Sequence, residues 1–193
     1  MPLRLVRPHL RNRAREPSDR HWSAVTGDFE LGGFSQHEGG PREGQWSWSI
    51  YALYDHSFLK HGSEPTLPEA MQAMSAAWRG WLKRARLFEV VAGHPRPQRS
   101  DDPLPLAPGS RNNRWFAMCG EIDMGYVELA HDLHCGEYWK WGFYKPPPKQ
   151  GALWGIANNQ AEAATEVTRR FRDWLEMTDL AECIGLQAGQ QAT

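Results

Sequence analysis

Residues 22–51 read WSAVTGDFELGGFSQHEGGPREGQWSWSIY, and residues 115–144 read WFAMCGEIDMGYVELAHDLHCGEYWKWGFY. The two stretches align without a gap at an offset of 93 residues, and the alignment extends to residues 22–87 and 115–180. Fourteen positions are identical in these two 66-residue segments. In the first segment they are Trp22, Ala24, Gly27, Gly32, Trp46, Trp48, Tyr51, Gly62, Glu69, Ala70, Arg79, Trp81, Leu82 and Leu87. A fixed internal period predicts a chain that contains two copies of one structural unit.

The composition is that of a folded protein without a disulfide framework. Ten of the 193 residues are Trp and 40% are hydrophobic, which suits two small domains with their own cores. Three cysteines are too few for a disulfide scaffold, and an odd number cannot all pair with one another. No apolar run reaches the roughly 18 residues that a membrane-spanning helix needs. We therefore expect a cytoplasmic protein with reduced thiols and no membrane partner.

Charge is distributed unevenly along the chain, although the net charge is only −1. Residues 1–21 contain six Arg and two acidic residues, whereas the second repeat, 115–180, contains six basic and ten acidic residues. The repeats are thus neutral to acidic, which is the wrong sign for a general phosphate-binding surface.

The repeat and the local composition together predict five regions. Five prolines between residues 95 and 108 favour an extended connector between the two copies. The expected regions are a flexible basic arm over 1–21, a first unit over 22–87, a Pro-rich connector over 88–114, a second unit over 115–185 and a flexible tail over 186–193.

Each copy begins with patterns that are typical of strands. Gly27-Asp28 is a hairpin turn signal between predicted strands near 22–26 and 29–35. Residues 45–54 alternate between apolar and polar, which predicts a half-buried strand. One face of this strand carries Trp46, Trp48 and Ile50, and the equivalent positions in the second copy are Trp139, Trp141 and Phe143.

A helix follows the strands in each copy. Thr66 and Glu69 form a capping box, and Asn159 with Glu162 offers the same signal in the second copy. The apolar residues that recur at helical spacing in the first copy are Met71, Met74, Trp78, Trp81, Leu82 and Ala85. Each copy is therefore predicted as a βββα unit, a three-stranded antiparallel sheet with one helix on one face. The chain is expected to be an α+β protein whose two units are related by pseudo-twofold symmetry.

The repeated aromatic residues have two interpretations. Tryptophans on a sheet can stack on bases, but on the same face as the helix they serve better as the core of a small domain. Tyr51 and Tyr144 point to the opposite sheet face, where they are either binding contacts or part of the packing between units. Together with the repeated Arg79 and Arg172, these tyrosines are the predicted binding residues.

The segment from His131 to Glu137 holds the strongest metal-like cluster, with His131, His134 and Cys135 as candidate zinc ligands. Their spacing matches no established zinc motif, so a solvated hairpin loop is the preferred interpretation, and no metal or cofactor is predicted. The sequence also contains no Gly-rich phosphate loop, nucleophile elbow or His-Glu-x-x-His pattern. We accordingly assign no catalytic residue and expect a protein that is not an enzyme.

The N-terminal arm supports an alternative function. A disordered basic arm can reach a phosphate backbone while a folded domain sets the register. The candidate nucleic-acid contacts are Arg4, Arg7, Arg11, Arg13 and Arg15. The competing interpretation of this arm is a solubilising tail.

The pattern of Trp22-x-Ala24, Trp46-x-Trp48-x-Ile50 and Glu69-Ala70 resembles a group of short uncharacterised bacterial proteins. They are frequent in alphaproteobacterial genomes and mobile elements and usually consist of one such unit. The predicted order of elements is also similar to the arm-binding domains of phage integrases, an analogy of fold alone. The resemblance implies no activity. We expect a binding protein that recognises another protein, encoded by a mobile element, with nucleic-acid binding as the alternative.

Overall fold

The computed structural model describes residues 4–6, 19–27, 29–50, 60–90, 101–111, 113–134, 136–144 and 153–182. The chain divides into two compact units, Met1–Trp81 and Leu82–Thr193. Within the described ranges it contains two helices and antiparallel sheets, which confirms the predicted α+β class.

The first unit is built on a five-stranded antiparallel sheet with neighbours in chain order. Its strands are β1 (Arg4–Val6), β2 (His21–Thr26), β3 (Phe29–Gln36), β4 (Trp46–Ile50) and β5 (His61–Glu64). Strands β2 to β4 lie where the alternating pattern predicts them. Gly27 ends β2 with a φ of 56°, a left-handed conformation that glycine adopts without strain.

The helix α1 (Leu67–Ala85) begins at the predicted capping box. The Thr66 backbone N–H donates to Glu69 Oε2 at 3.1 Å, and the Glu69 N–H donates back to Thr66 Oγ1 at 3.4 Å. The helix packs on β3 at Gly32, where an added Cβ would collide with Met74 Cε and with the Ser49 carbonyl oxygen. Burial of its apolar stripe, which includes Met74, Trp78 and Trp81, forms the core.

The second unit contains a five-stranded sheet in the order β11-β10-β9-β8-β7 and a separate two-stranded ladder of β6 and β12. The strands are β6 (Leu87–Glu89), β7 (Leu106–Pro108), β8 (Arg114–Cys119), β9 (Ile122–Asp132), β10 (Gly136–Phe143), β11 (Trp154–Ala157) and β12 (Leu180–Glu182). All neighbouring strands are antiparallel.

The helix α2 (Gln160–Met177) covers one face of this sheet and packs on β9 and β10. It begins at Asn159, whose side-chain Oδ1 accepts a hydrogen bond from the Glu162 N–H at 2.9 Å, as the capping signal predicts. Fully buried Phe171 and Trp174 on α2 belong to the core under this face.

The number of strands corrects the prediction of one three-stranded sheet per unit, because in the described residues each unit has a five-stranded sheet and the second unit also contains the two-stranded ladder. The missed edge strands are short: β5 reads HGSE and β7 reads LAP, which carry no apolar alternation of useful length. Residues Arg4–Val6, where a flexible arm is expected, form β1, and β7 lies within the expected connector. No helix in the described part of the chain is both long and apolar enough to span a membrane.

Candidate functional site

Each five-stranded sheet has one face toward its helix and one opposite face, which we call the outer face. Because side chains alternate along strands, the register assigns the residues of each outer face. In the first unit they include His21, Ser23, Gly33, Ser35, Ser47, Ser49, His61 and Ser63. In the second unit they include Arg114, Phe116, Tyr126, Glu128, Lys140, Gly142, Trp154 and Ile156. The two outer faces therefore have different chemistry, although their strands run in the same order.

The first outer face holds a groove of about 880 Å³ with a polar lining. One cross-strand row consists of His21, Ser35, Ser47 and Ser63, and the next contains Ser23, Gly33, Ser49 and His61. Arg42 also lines the groove, from a turn of 3₁₀ helix (Gly40–Arg42). Hydroxyl, imidazole and guanidinium groups thus surround the space.

Three hydrogen bonds order side chains on this face, one of them from Ser63 Oγ to Gln45 Oε1 at 3.3 Å. Ser47 Oγ lies 2.6 Å from His37 Nε2, and Ser23 Oγ donates to Glu30 Oε1 at 2.8 Å. A serine next to an imidazole is part of a nucleophilic triad only when a third group orients the ring. Among the described residues His37 has no carboxylate or carbonyl partner on its ring, so the pair is a hydrogen bond between neighbours on the sheet.

The second outer face is organised around Tyr126. The Arg114 guanidinium lies 4.7 Å from the centroid of its ring and forms an ion pair with Glu128 at 2.5 Å. The hydrogen bond to Glu128 raises the pKa of Arg114. The Tyr126 ring also lies over Gly142, which has no side chain to displace it. Charge and aromatic area are therefore interleaved, with the positive charge of Arg114 neutralised locally.

Tyr144, a predicted binding residue, belongs to this aromatic group. Its ring centroid lies 5.8 Å from that of Tyr126, and the side chain is partly buried. Burial, and then the negative charge of Asp123, raises the pKa of Tyr144 to about 12, because both disfavour the phenolate. Ionisation of the phenol is therefore displaced to more alkaline pH, well above the physiological range.

The most exposed apolar side chains of this face lie on the edge strand β11. Trp154 is 67% exposed and Ile156 is 65% exposed. The residues that alternate with them face the helix side: Gly155 lies against the indole of Trp141, and Ala157 is buried. Lys140 is the cross-strand neighbour of Ile156, and a hydrogen bond to Tyr138 raises the pKa of Lys140.

The other predicted binding residues lie elsewhere or outside the described ranges. Tyr51 is outside the described residues. Arg79 is exposed on α1, and Arg172 on α2 donates to the Asp102 carbonyl oxygen at 3.1 Å. Since each helix covers the opposite side of its sheet, neither arginine joins Tyr144 on an outer face.

The candidate nucleic-acid and metal residues are also dispersed. Arg4 donates to the Gly27 carbonyl oxygen at 2.8 Å. The other four arginines of the arm, Arg7, Arg11, Arg13 and Arg15, lie outside the described residues. His131 and His134 are exposed, and Cys135 is not described. Over the described ranges, no group of three His, Cys, Asp or Glu residues is placed to hold a metal ion.

Sequence reasoning missed Tyr126, Trp154 and Ile156 as surface residues of interest. The signal is present in the alignment of the copies, because these positions correspond to Gly33, His61 and Ser63. At each of these positions a large aromatic or apolar residue of the second segment aligns with a small or polar residue of the first. No protein-family model, curated protein or solved structure matches this chain. The function is therefore argued from the outer faces themselves.

Proposed function

We propose that this protein binds an extended segment of another protein, which adds as a strand beside β11. The observation that carries this proposal is the exposure of Trp154 and Ile156 on an edge strand. Edge strands are ordinarily protected by charged residues, proline or short length, because their free backbone groups pair with other chains. Strand β11 is short, with four residues, but it carries no charged residue or proline and presents two large apolar side chains at alternate positions.

The backbone of β11 is oriented to support this pairing. The Phe143 N–H donates to the Leu153 carbonyl oxygen at 2.8 Å, which makes this a hydrogen-bonded pair. In an antiparallel ladder hydrogen-bonded pairs alternate, so Gly155 also bonds toward β10. The N–H and C=O groups of Trp154 and Ile156 therefore point away from β10. An added strand takes its affinity from such groups and its specificity from the alternate side chains.

Strand β5 is the equivalent edge strand of the first unit, and its outward positions carry polar side chains. There the Ile50 N–H donates to the Lys60 carbonyl oxygen at 2.6 Å, so the backbone of His61 and Ser63 points outward in the same way. The side chains at these positions are an imidazole and a hydroxyl. The proposal therefore concerns the second unit, since of these two edges only the one in the second unit combines outward backbone groups with apolar side chains.

The surface beside β11 suits a protein partner better than a phosphate backbone. Tyrosines such as Tyr126 and Tyr144 supply apolar area with a polar tip, a composition typical of protein interfaces. Glu128 neutralises Arg114, and Lys140 is a further cation beside the edge. Nucleic-acid binding through the N-terminal arm stays the alternative, and it requires a set of phosphate contacts that this face does not offer.

Equivalent backbone features at the 93-residue offset support the proposal that the two units are a duplicated module. Gly27 and Gly120 have φ values of 56° and 59°, and both follow a bulge in the preceding strand. Gly32 lies against Met74, and Gly125 lies against Val167. Under this proposal the shared positions are scaffold, and the residues that differ determine what each outer face binds.

A library of displayed, unstructured peptides tests the proposal. We expect the full chain to select peptides with alternating β-branched or aromatic residues, and the double variant Trp154→His/Ile156→Ser, which copies the first edge, to bind them at least tenfold more weakly. Leu133→Ser, which removes an exposed apolar side chain outside β11, is the matched control. Amide hydrogen exchange should slow at Trp154 and Ile156 in the complex.

Two results would contradict the proposal. One is selection of peptides that bind the double variant as tightly as the unmodified chain. The other is self-association through β11, seen as a dimer by light scattering that the double variant abolishes, because the occupant would then be a second copy of this chain.

A further inference from the structure

The groove on the first outer face has cationic and imidazole groups with no partner. His21, Arg42 and His61 line it. Within the part of the chain that the structure describes, none of these three side chains makes a hydrogen bond or an ion pair. Side chains of this kind are the usual protein partners of phosphate and carboxylate oxygens.

Hydroxyl groups complete the lining. Ser35 and Ser49 present hydroxyl groups on two neighbouring rows of the sheet, whereas Ser47 is hydrogen-bonded to His37 and Ser63 donates to Gln45 Oε1 at 3.3 Å. Among the described lining residues the single carboxylate is Glu30, and Ser23 donates to it at 2.8 Å. The groove thus offers many donors and little negative charge, which favours an anion that accepts several hydrogen bonds.

The size and polarity of the groove indicate more than a bare anion. Its volume of about 880 Å³ lies within the range of small-molecule sites, about 300–1,000 Å³. Such sites are ordinarily apolar, whereas this one combines hydroxyl, imidazole and guanidinium groups with the aromatic side chains of Trp22, Phe34 and Trp48. A mixed lining of this kind suits a ligand that carries both hydroxyl groups and carbon-bound faces.

In the second unit, a tyrosine ring fills the part of the outer face that corresponds to the groove. Tyr126 occupies the position of Gly33, and its ring covers Gly142, the counterpart of Ser49. The same two strands therefore present an aromatic ring in one unit and an open space in the other. Gly33 therefore contributes no side chain that could fill this space.

We propose that this groove binds a sugar phosphate, with the phosphate held by Arg42 and His21, which belongs to the row nearest the turn that carries Arg42, and the sugar hydroxyls held by His61 and the serine rows. The site is independent of the edge strand β11 and of a protein partner. It assigns a small-molecule function to the first unit, whose outer face carries no exposed aromatic side chain among the described residues.

Titration of the ¹⁵N-labelled full chain with ribose 5-phosphate, ribose and inorganic phosphate tests the site. We expect amide shifts in β2 to β5 to saturate with ribose 5-phosphate below about 10 mM, with at least tenfold weaker binding of ribose. Inorganic phosphate should compete. Arg42→Gln should weaken binding at least tenfold, whereas Lys83→Gln, which removes an exposed cation of α1, should leave it unchanged.

A groove-filling variant provides the second test. Gly33→Tyr/Ser49→Gly reproduces the Tyr126–Gly142 pair and should abolish the shifts while the circular dichroism spectrum and melting temperature are retained.

Absence of shifts with every probe overturns the site. Equal binding of ribose and ribose 5-phosphate overturns the role of the phosphate, and equal binding of phosphate and ribose 5-phosphate overturns the role of the sugar. Shifts reproduced by sodium chloride at the same ionic strength indicate an adventitious ion only.

Discussion

At the scale of single residues, Tyr144 shows how far repetition in the sequence identifies a surface group. The repeat and the strand alternation place this tyrosine opposite the helix, and the structure puts it against Tyr126. Its partial burial and the proximity of Asp123 come from the tertiary arrangement of β8 to β10, which no local pattern encodes. The position was predictable from the sequence, whereas the altered chemistry of the phenol was not.

The raised pKa of Tyr144 makes stability depend on pH in a defined window. Below pH 10 the phenol is protonated in both states, but between pH 10 and the folded-state pKa of about 12 only the unfolded chain releases the proton. The contribution of this group to the free energy of unfolding is therefore present below pH 10 and is lost as pH rises through about 12. We expect Tyr144→Phe to remove this dependence in urea titrations between pH 9 and 11.

Absorbance at 295 nm checks the assignment directly. The difference between the titration curves of the unmodified chain and Tyr144→Phe should have its midpoint near 12 in the folded state and near 10 in urea. A folded-state midpoint near 10 would show that the phenol is not protected from water.

At the scale of elements, the sequence was most informative where a local rule acts within a few residues. The caps at Thr66 and Asn159 were predictable because a side-chain oxygen and an N–H three residues on satisfy each other. The edge strands β5 and β11 were not predictable, because a four-residue strand is formed by its neighbour rather than by its own pattern. The missed strand β11 is also the one that carries the proposed docking edge.

The contact between helix and sheet gives a prediction for the repeated glycines. An added methyl at Gly32 would collide with the Ser49 carbonyl oxygen and Met74 Cε, and at Gly125 with the Gly142 carbonyl oxygen and Val167. Because a backbone oxygen has to move, we expect Gly32→Ala and Gly125→Ala each to lower the free energy of unfolding by about 3 kcal/mol.

Urea denaturation measures this loss, and Gly39 supplies the control. It has an extended φ of 175°, and a methyl group added there would meet open space, so Gly39→Ala should change stability by less than about 0.5 kcal/mol. Equal effects at positions 32 and 39 would mean that chain entropy, and not the close approach of the helix, decides the requirement for glycine.

At the scale of the whole molecule, the proposed duplication divides the positions of each unit into two classes. Shared positions maintain the fold, and positions that differ determine what each outer face binds. The ladder of β6 and β12, which lies in the second unit, pairs Leu87 with Glu182 and Leu180 with Glu89. These residues are related by the 93-residue offset, so the ladder itself has a local twofold arrangement about Phe88 and Ala181. Positions common to the two 66-residue segments were visible in the sequence, whereas the proposed difference in binding between the units depends on a comparison of their outer faces.

Exchange of the edge residues between the two units tests whether these side chains decide which edge binds a peptide. If the side chains at two positions decide whether an edge accepts a strand, His61→Trp/Ser63→Ile should create a second peptide site, because the backbone of β5 already points outward in the same way. Isothermal titration with a peptide selected on the unmodified chain should then give two peptides per chain rather than one. Combination with Trp154→His/Ile156→Ser should return the value to one and move hydrogen-exchange protection from β11 to β5. A stoichiometry that stays at one, with His61→Trp/Ser63→Ile folded, would show that the edge residues are insufficient and that the neighbouring ring of Tyr126 is a necessary part of the docking surface.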